Sequence, residues 1–366
     1  MHAYYNGRIF DGNTLRTNVA VLADKEQVID IVPESAIPAN ATTIDLQNNF
    51  MAPAFIDLQI YGAHGKLFSQ DLSVASLQET YNYCVAGGCR QFMITMATNS
   101  MSTFYKGMDV ARTYWQQGGK GLLGLHLEGP YINPLKRGAH IEQYVKEPTI
   151  EEVTALLAYG KDVFKMMTLA PEKCAPAVLQ LLSDTGIIIS AGHSNATYEQ
   201  ATAAFNNGIP VATHLFNAMS PLQHRQPGLA GAIFDHTSAM SSIVADGIHV
   251  DFAAVRIAKK IMKERLFLIT DAVAASSEGE YRHVFTGDRY TLPDGTLSGS
   301  ALTMMKAVKN CVEQVGIDLE EALRMASLYP AKLAGLSTHT GKIAAGCAAS
   351  FVIFNNNLEV VKIING

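Results

Sequence analysis

Four residues of this chain combine metal-ligand or acid–base character with a place where an extended segment must end. They are Glu128 in HLEGPYINPLKRGAH (126–140), His193 in AGHSNATYEQ, His214 in ATHLFNAM and Asp271 in LFLITDAVAA. Gly129-Pro130 stop the run that ends in Glu128 and expose its tip. A carboxylate there needs a partner, because an isolated buried charge is very costly. Lys136 or Arg137 is the ordinary partner; with His193 and His214 ending other runs, a divalent metal is the stronger one. Two imidazoles and one carboxylate are a donor set of hydrolytic zinc, leaving one coordination position for water. Taken singly, His193 reads equally as a loop residue, His214 as a core histidine and Asp271 as a helix N-cap. Beside a metal, Asp271 is the natural general base for the water and then acid for the leaving group.

Further residues have the chemistry of substrate clamps. Arg225 lies in the long loop NAMSPLQHRQPG (217–228). Its planar guanidinium matches phosphate oxygens bidentately, or it forms a surface or interface ion pair. Asp246 ends another apolar run in SSIVADG, and His249 follows in DGIHV, placed to donate to a hydroxyl or a phosphate. His140 closes the loop after Glu128 and has the reach to polarise a substrate carbonyl. His2, His64, His126, His224, His236, His283 and His339 receive no role; His126 reads as packed, and His64 stays open because it follows the first strand run.

Something must bring these tips together. Eight buried strand runs, AFIDLQI (54–60), QFMITMAT (91–98), GLLGLHLEG (121–129), FKMMTLAP (164–171), GIIISAGHS (186–194), VATHLFN (211–217), SSIVADG (241–247) and LFLITDA (266–272), alternate with helical windows. LQETYNYCVAGG, EEVTALLAYG and YEQATAAFNNG are such windows, with glycines where helices cap, and Thr197 with Gln200 forms a capping-box pattern. Strands apolar on both faces, each followed by a crossover helix, make a parallel sheet. Eight of them predict a (β/α)8 barrel, whose strand C-termini share one mouth. Glu128, His193, His214, Asp246 and Asp271 then meet there. Both ends of the chain are instead short and β-like, with period-two alternation and Asn-Gly or Asp-Gly turns. The expectation is a small β-sandwich domain from 1–50 plus 338–366, and a hydrolase barrel over 51–337.

The 366 residues, 48% hydrophobic and 17% charged, suffice to bury a large core without staples. A net charge of −5 without long charge runs speaks against nucleic acid or an anionic membrane as partner. No G-x-G-x-x-G follows an early strand, which argues against a dinucleotide fold. The five cysteines include no C-x-x-C and read as buried thiols of a reducing compartment. With no apolar leader at the start, the expectation is a cytoplasmic protein.

Together the segments resemble the N-acetylglucosamine-6-phosphate deacetylases of the amidohydrolase superfamily. PAFIDLQIYGAHG, HLEGPYINPLKRGAH, THLFNAMSPLQHRQPGLAG, DGIHVD, LITDA, GTLSGSALTM and the closing ASLYPAKLAGL…GKIAAGCAASFVIF carry the resemblance along nearly the whole chain. It implies release of acetate from N-acetylglucosamine 6-phosphate in amino-sugar catabolism, by a barrel with a small β domain, commonly as a homodimer. It implies Glu128, His193 and His214 as metal ligands and Asp271 as catalytic acid/base. It implies substrate contacts at Ala139, His140, Asn217, Ala218, Arg225, Asp246, Gly247, Ile248, His249, Leu297, Ser298 and Gly299, with Arg225 or His249 serving a neighbouring subunit. Two-metal relatives carry His-x-His after the first strand, whereas this chain has Gln59-Ile60-Tyr61. Neither Gln59 nor Tyr61 supplies an imidazole, so one divalent ion per chain, zinc, is expected.

Two other functions compete. The same chemistry on N-acetylgalactosamine 6-phosphate differs by one hydroxyl, which motifs do not read. A non-catalytic amidohydrolase-like binding protein is the alternative from another class, but the three ligands and the base are all present.

Overall fold

In the computed structural model, residues 1–276 and 279–364 are described. The chain divides into two compact units: 1–57 with 84–91 and the stretch from Thr303 onward, and Leu58–Tyr83 with Phe92–Leu302.

The expected parallel sheet is present. Its strands are β1 (Phe55–Ile60), β2 (Cys89–Ala97), β3 (Leu122–Glu128), β4 (Phe164–Leu169), β5 (Ile188–Ala191), β6 (Val211–Ala212), β7 (Met240–Ile243) and β8 (Leu266–Leu268). They lie side by side in chain order. Asp271 N–H donates to the Gln59 carbonyl (3.0 Å) and Tyr61 N–H to the Ala272 carbonyl (2.9 Å), so the last strand's continuation meets the first and nearly closes the barrel. A helix follows each strand, as the right-handed crossover requires. The helix Tyr198–Asn206 starts at the capping box read in the sequence, Thr197 accepting from Gln200 N–H and the Gln200 side chain from Thr197 N–H.

The later strands are shorter than their apolar runs. Backbone angles give the reason: His193 (φ 47°), His214 (φ 36°), Phe216 (φ 76°) and Asp271 (φ 55°) adopt the left-handed region. Such a residue leaves the β region and ends the ladder, at a cost for any side chain with a Cβ. The polar residues that close these runs are thus also the ones that turn the chain away from the sheet.

A hydrogen-bond chain crosses the buried side of the sheet. Ser190 Oγ, Thr213 Oγ1, Thr168 Oγ1 and His126 Nε2 are linked by contacts of 2.6, 2.6 and 2.7 Å. His126 Nδ1 lies 3.1 Å from the Leu58 carbonyl and must donate to it, so Nε2 is an acceptor and the hydroxyls all point toward it. Burial draws the His126 pKa down to about 4. The histidine read as packed is thus a neutral link among four strands.

Beyond β8 the chain forms β9 (Val284–Phe285), β10 (Arg289–Thr291) and β11 (Leu297–Ser300), an antiparallel meander. Ser300 N–H donates to the Asp271 carbonyl (3.0 Å), Val273 N–H to the Ser300 carbonyl (3.2 Å) and Ser300 Oγ to the Thr270 carbonyl (2.6 Å). These bonds fix β11 beside the end of the eighth strand segment. Gly299 is required there: at φ 138° a Cβ would lie 2.5 Å from Val273 Cγ1.

In the other unit, a four-stranded sheet of N-terminal strands and a five-stranded sheet of strands from both ends are present. Tyr4, Val21 and Val28 of the first share one core with Ile9, Met51, Phe351 and Ile353 of the second. This is the packing of a β-sandwich.

Candidate active site

A cavity of about 790 Å³, counting its open mouth, lies where the strand ends converge. That is the size of a small-molecule site. Glu128, His193, His214 and Asp271 all line it.

Glu128 Oε1 is 3.3 Å from His193 Nε2 and 3.1 Å from His214 Nε2, and the two imidazole nitrogens are 3.1 Å apart. A tetrahedral ion bound by nitrogen and oxygen at its usual distances separates its ligand atoms by about 3.3 Å, so this triangle has the size of one face of such a site. Protons reinforce the match. His193 Nδ1 lies 2.9 Å from the Lys136 carbonyl and donates to it, which aims Nε2 at a carboxylate and at another imidazole. In its neutral form such a ring offers Nε2 as the lone pair with which imidazole binds a metal ion.

Glu128, His140 and His193 also bring ligand atoms within metal-binding distance. His140 Nδ1 accepts from Thr98 N–H (3.2 Å), so its neutral ring carries the proton on Nε2 and donates to Glu128 Oε2 at 3.1 Å. It is therefore placed to donate to Glu128, and the buried cluster of Glu128, His140 and His193 is consistent with a metal site. Burial alone would raise the Glu128 carboxyl; the His193 charge and the bonds from His140, His193 and His214 outweigh it and hold it well below the ordinary carboxylate range.

The positions of the absent His-x-His pair are filled by neutral donors. Gln59 Nε2 lies 2.7 Å from Asp271 Oδ1, 3.0 Å from Glu128 Oε1 and 2.9 Å from Tyr61 Oη, and Tyr61 Oη donates to Glu128 Oε2. Burial first, then the charges of Glu128 and Asp271, push the Tyr61 phenol well above its usual pKa, so it remains a proton donor. Sequence reasoning noted of Tyr61 only that it supplies no imidazole. Its two-residue offset from Gln59, one residue beyond the end of β1, was the available signal that both face the same side.

Of the expected substrate contacts, Ala139, His140, Asn217 and Ala218 line the cavity, as do His249 and the segment Leu297–Gly299. Asn217 Nδ2 is buried without a hydrogen-bond partner among the described residues. Asp246, Gly247 and Ile248 are not on its surface. Asp246 instead accepts from Ile248 and His249 N–H (2.8 Å each) and, through Oδ2, from His249 Nδ1 (2.7 Å), so it aims the imidazole. Despite burial, those bonds keep the Asp246 pKa below its ordinary value. Arg225 is exposed in a separate groove with Thr197 and Ser220. His64, held open from its position, is exposed and paired with Glu79 at 3.0 Å. Tyr281 and His283, assigned nothing from sequence, both line the cavity. They come from a loop without apolar periodicity, which gave no cue.

A (β/α)8 barrel with imidazoles and carboxylates at its mouth defines a class of hydrolases, and the comparisons agree. The chain belongs to the amidohydrolase family, whose sequence profile matches residues 50–365. Within it the chain groups with the N-acetylglucosamine-6-phosphate deacetylases. The enzyme of that name from Haemophilus influenzae is 35% identical over 100% of this chain and 98% of its own length. The crystal structure of N-acetylglucosamine-6-phosphate deacetylase from Pasteurella multocida superposes with a TM-score of 0.94 at 35% identity, covering 100% of this chain and 98% of that one. A mutant of the Mycobacterium smegmatis deacetylase in complex with N-acetyl-D-glucosamine-6-phosphate gives 0.90 at 27% identity, covering 100% and 97%.

Proposed function

We propose that this protein hydrolyses the acetamide of N-acetylglucosamine 6-phosphate to acetate and glucosamine 6-phosphate, using one zinc ion per chain held by Glu128, His193 and His214. The observation that carries the proposal is the triangle of Glu128 Oε1, His193 Nε2 and His214 Nε2, with edges of 3.1–3.3 Å, on the surface of the same cavity as Asp271. A divalent ion supplies there a Lewis acid that acidifies water and polarises an amide carbonyl.

The chain's own residues do the rest. Asp271, steadied by Gln59, takes the proton of the attacking water and delivers it to the departing amine. His140 turns its Nε2–H from Glu128 toward the acetamide oxygen as negative charge develops on it. Asn217 offers its unpartnered amide, and Ala139, Ala218 and the 297–299 backbone shape the wall. His249, held by the Asp246–Ile248 turn, donates to the sugar or its phosphate. Contacts remote from the amide orient it for attack. Gln59 and Tyr61, both donating to carboxylates, favour a single ion over two.

We further propose a homodimer in the cytoplasm, with domains at 1–50 plus 338–366 and at 51–337. The five buried free cysteines suit a reducing compartment, and among the described residues no helix is long and apolar enough to cross a membrane. The deciding experiment measures acetate release from a panel of N-acetylated sugar phosphates, both epimers included, with metal analysis of the same sample. The expected outcome is preference for the gluco compound with about one divalent ion per chain. Two stoichiometric transition metals in active protein would overturn the single-ion site, and preference for the galacto epimer would reassign the substrate.

A further inference from the structure

His283 is a cavity residue that the proposed mechanism leaves unused. It immediately precedes β9 and is 5% exposed. Its Nδ1 is 2.9 Å from Ser298 Oγ on β11, so the two ends of the meander are tied across the cavity wall. The ring lies nearly parallel to that of Tyr281, at 12° and 6.1 Å between centroids. Tyr281 is anchored in turn, its hydroxyl donating to the Thr98 carbonyl at 2.6 Å, just past the end of β2. A hydrogen bond on one side and a fixed aromatic plane on the other leave the imidazole little rotational freedom. Nε2 has no hydrogen-bond partner among the described residues, yet it is not among the fully buried orphan atoms. It therefore faces the open space of the cavity that His283 lines.

We infer that His283 is a specificity-determining residue whose Nε2 hydrogen-bonds an uncharged hydroxyl of the substrate's sugar ring. The assignment rests on the deacetylase reading above. A phosphate would call for a fixed positive charge, and burial pulls the His283 pKa down to about 4, keeping the ring neutral at physiological pH. A neutral imidazole suits a hydroxyl, which donates or accepts as the ring's tautomer requires. Pre-orientation by Ser298 and Tyr281 means that little side-chain freedom is lost on binding. The residue reports on the sugar, away from the proton transfers assigned to Asp271.

The test is steady-state kinetics of wild type, His283→Phe and His283→Gln on N-acetylglucosamine 6-phosphate and on its 3-deoxy and 4-deoxy analogues, with metal content measured alongside. His283→Phe retains a ring to stack on Tyr281 and loses both nitrogens. On the parent sugar its kcat/KM is expected to fall about 10-fold, mainly through KM. On the analogue that lacks the hydroxyl being read, wild type and His283→Phe become equal. His283→Gln, which carries an amide nitrogen close to the position of Nε2, recovers part of the loss, and metal content is unchanged throughout. Equal losses on all three sugars, or no loss on the parent, overturn the assignment while leaving the deacetylase reading intact. No acetate release by wild type overturns both.

Discussion

Asp271 and Glu128 are both buried carboxylates bonded to the Gln59 amide, yet their surroundings separate their tasks. Glu128 contacts three imidazoles, whereas Asp271 is held by the Gln59 amide at 2.7 Å. Asp271→Asn preserves size and leaves a carbonyl oxygen to accept from Gln59, but removes the proposed proton carrier. Turnover is expected to fall at least ~10²-fold with metal content at the wild-type level. Glu128→Gln or His214→Ala should lower metal content and activity together. Loss of metal in parallel with activity in the Asn variant would make Asp271 a ligand. Near-normal turnover with metal retained would move the proton carrier to His140 or His249.

At the scale of elements, most of the barrel was readable because buried strands in such a sheet are continuous apolar runs, and the polar residue ending each one stood out. FKMMTLAP contains the observed β4, and GLLGLHLEG the observed β3. The ends of VATHLFN and LFLITDA were overextended, since left-handed backbone at His214 and Asp271 is invisible to a hydropathy pattern. The meander β9–β11 escaped for the opposite reason: its strands are short and half exposed, and its contribution to the cavity depends on tertiary pairing with 271–273. That wall carries its own pH dependence. His283 titrates at about 4 in the folded chain against 6.5 ordinarily, so below pH ~6.5 the unfolded state takes up a proton that the native state refuses. Stability is then full above pH ~6.5 and declines as the pH falls toward ~4, by up to ~3 kcal/mol from this group. Urea unfolding of wild type and His283→Phe across that window should show a flatter pH profile for the variant. Parallel profiles would mean that the imidazole ionises freely in the native protein.

For the molecule as a whole, the position of Arg225 matters most. It is exposed, makes no ion pair among the described residues and lies outside the cavity formed by its own chain. If it clamps phosphate, it does so in the cavity of a second copy, in line with the proposed dimer. Mixing and reassembling two inactive variants, Arg225→Ala and Asp271→Asn, should then restore part of the activity. One hybrid site would hold an intact base together with the arginine of its neighbour. No recovery, with mixed dimers demonstrated, would return Arg225 to a surface role. The pinning of Ser300 to Thr270, Asp271 and Val273 has a different consequence, for how such a protein diversifies. It brings the two ends of the 273–300 excursion together at a fixed base, while Glu128 ends β3 and His193 and His214 follow β5 and β6. The excursion is thus a cassette, open to exchange in length and sequence as long as its two ends still meet. One hydrolytic centre can thereby be paired with a succession of recognition walls, and selection on what is bound proceeds largely apart from selection on how the bond is cut.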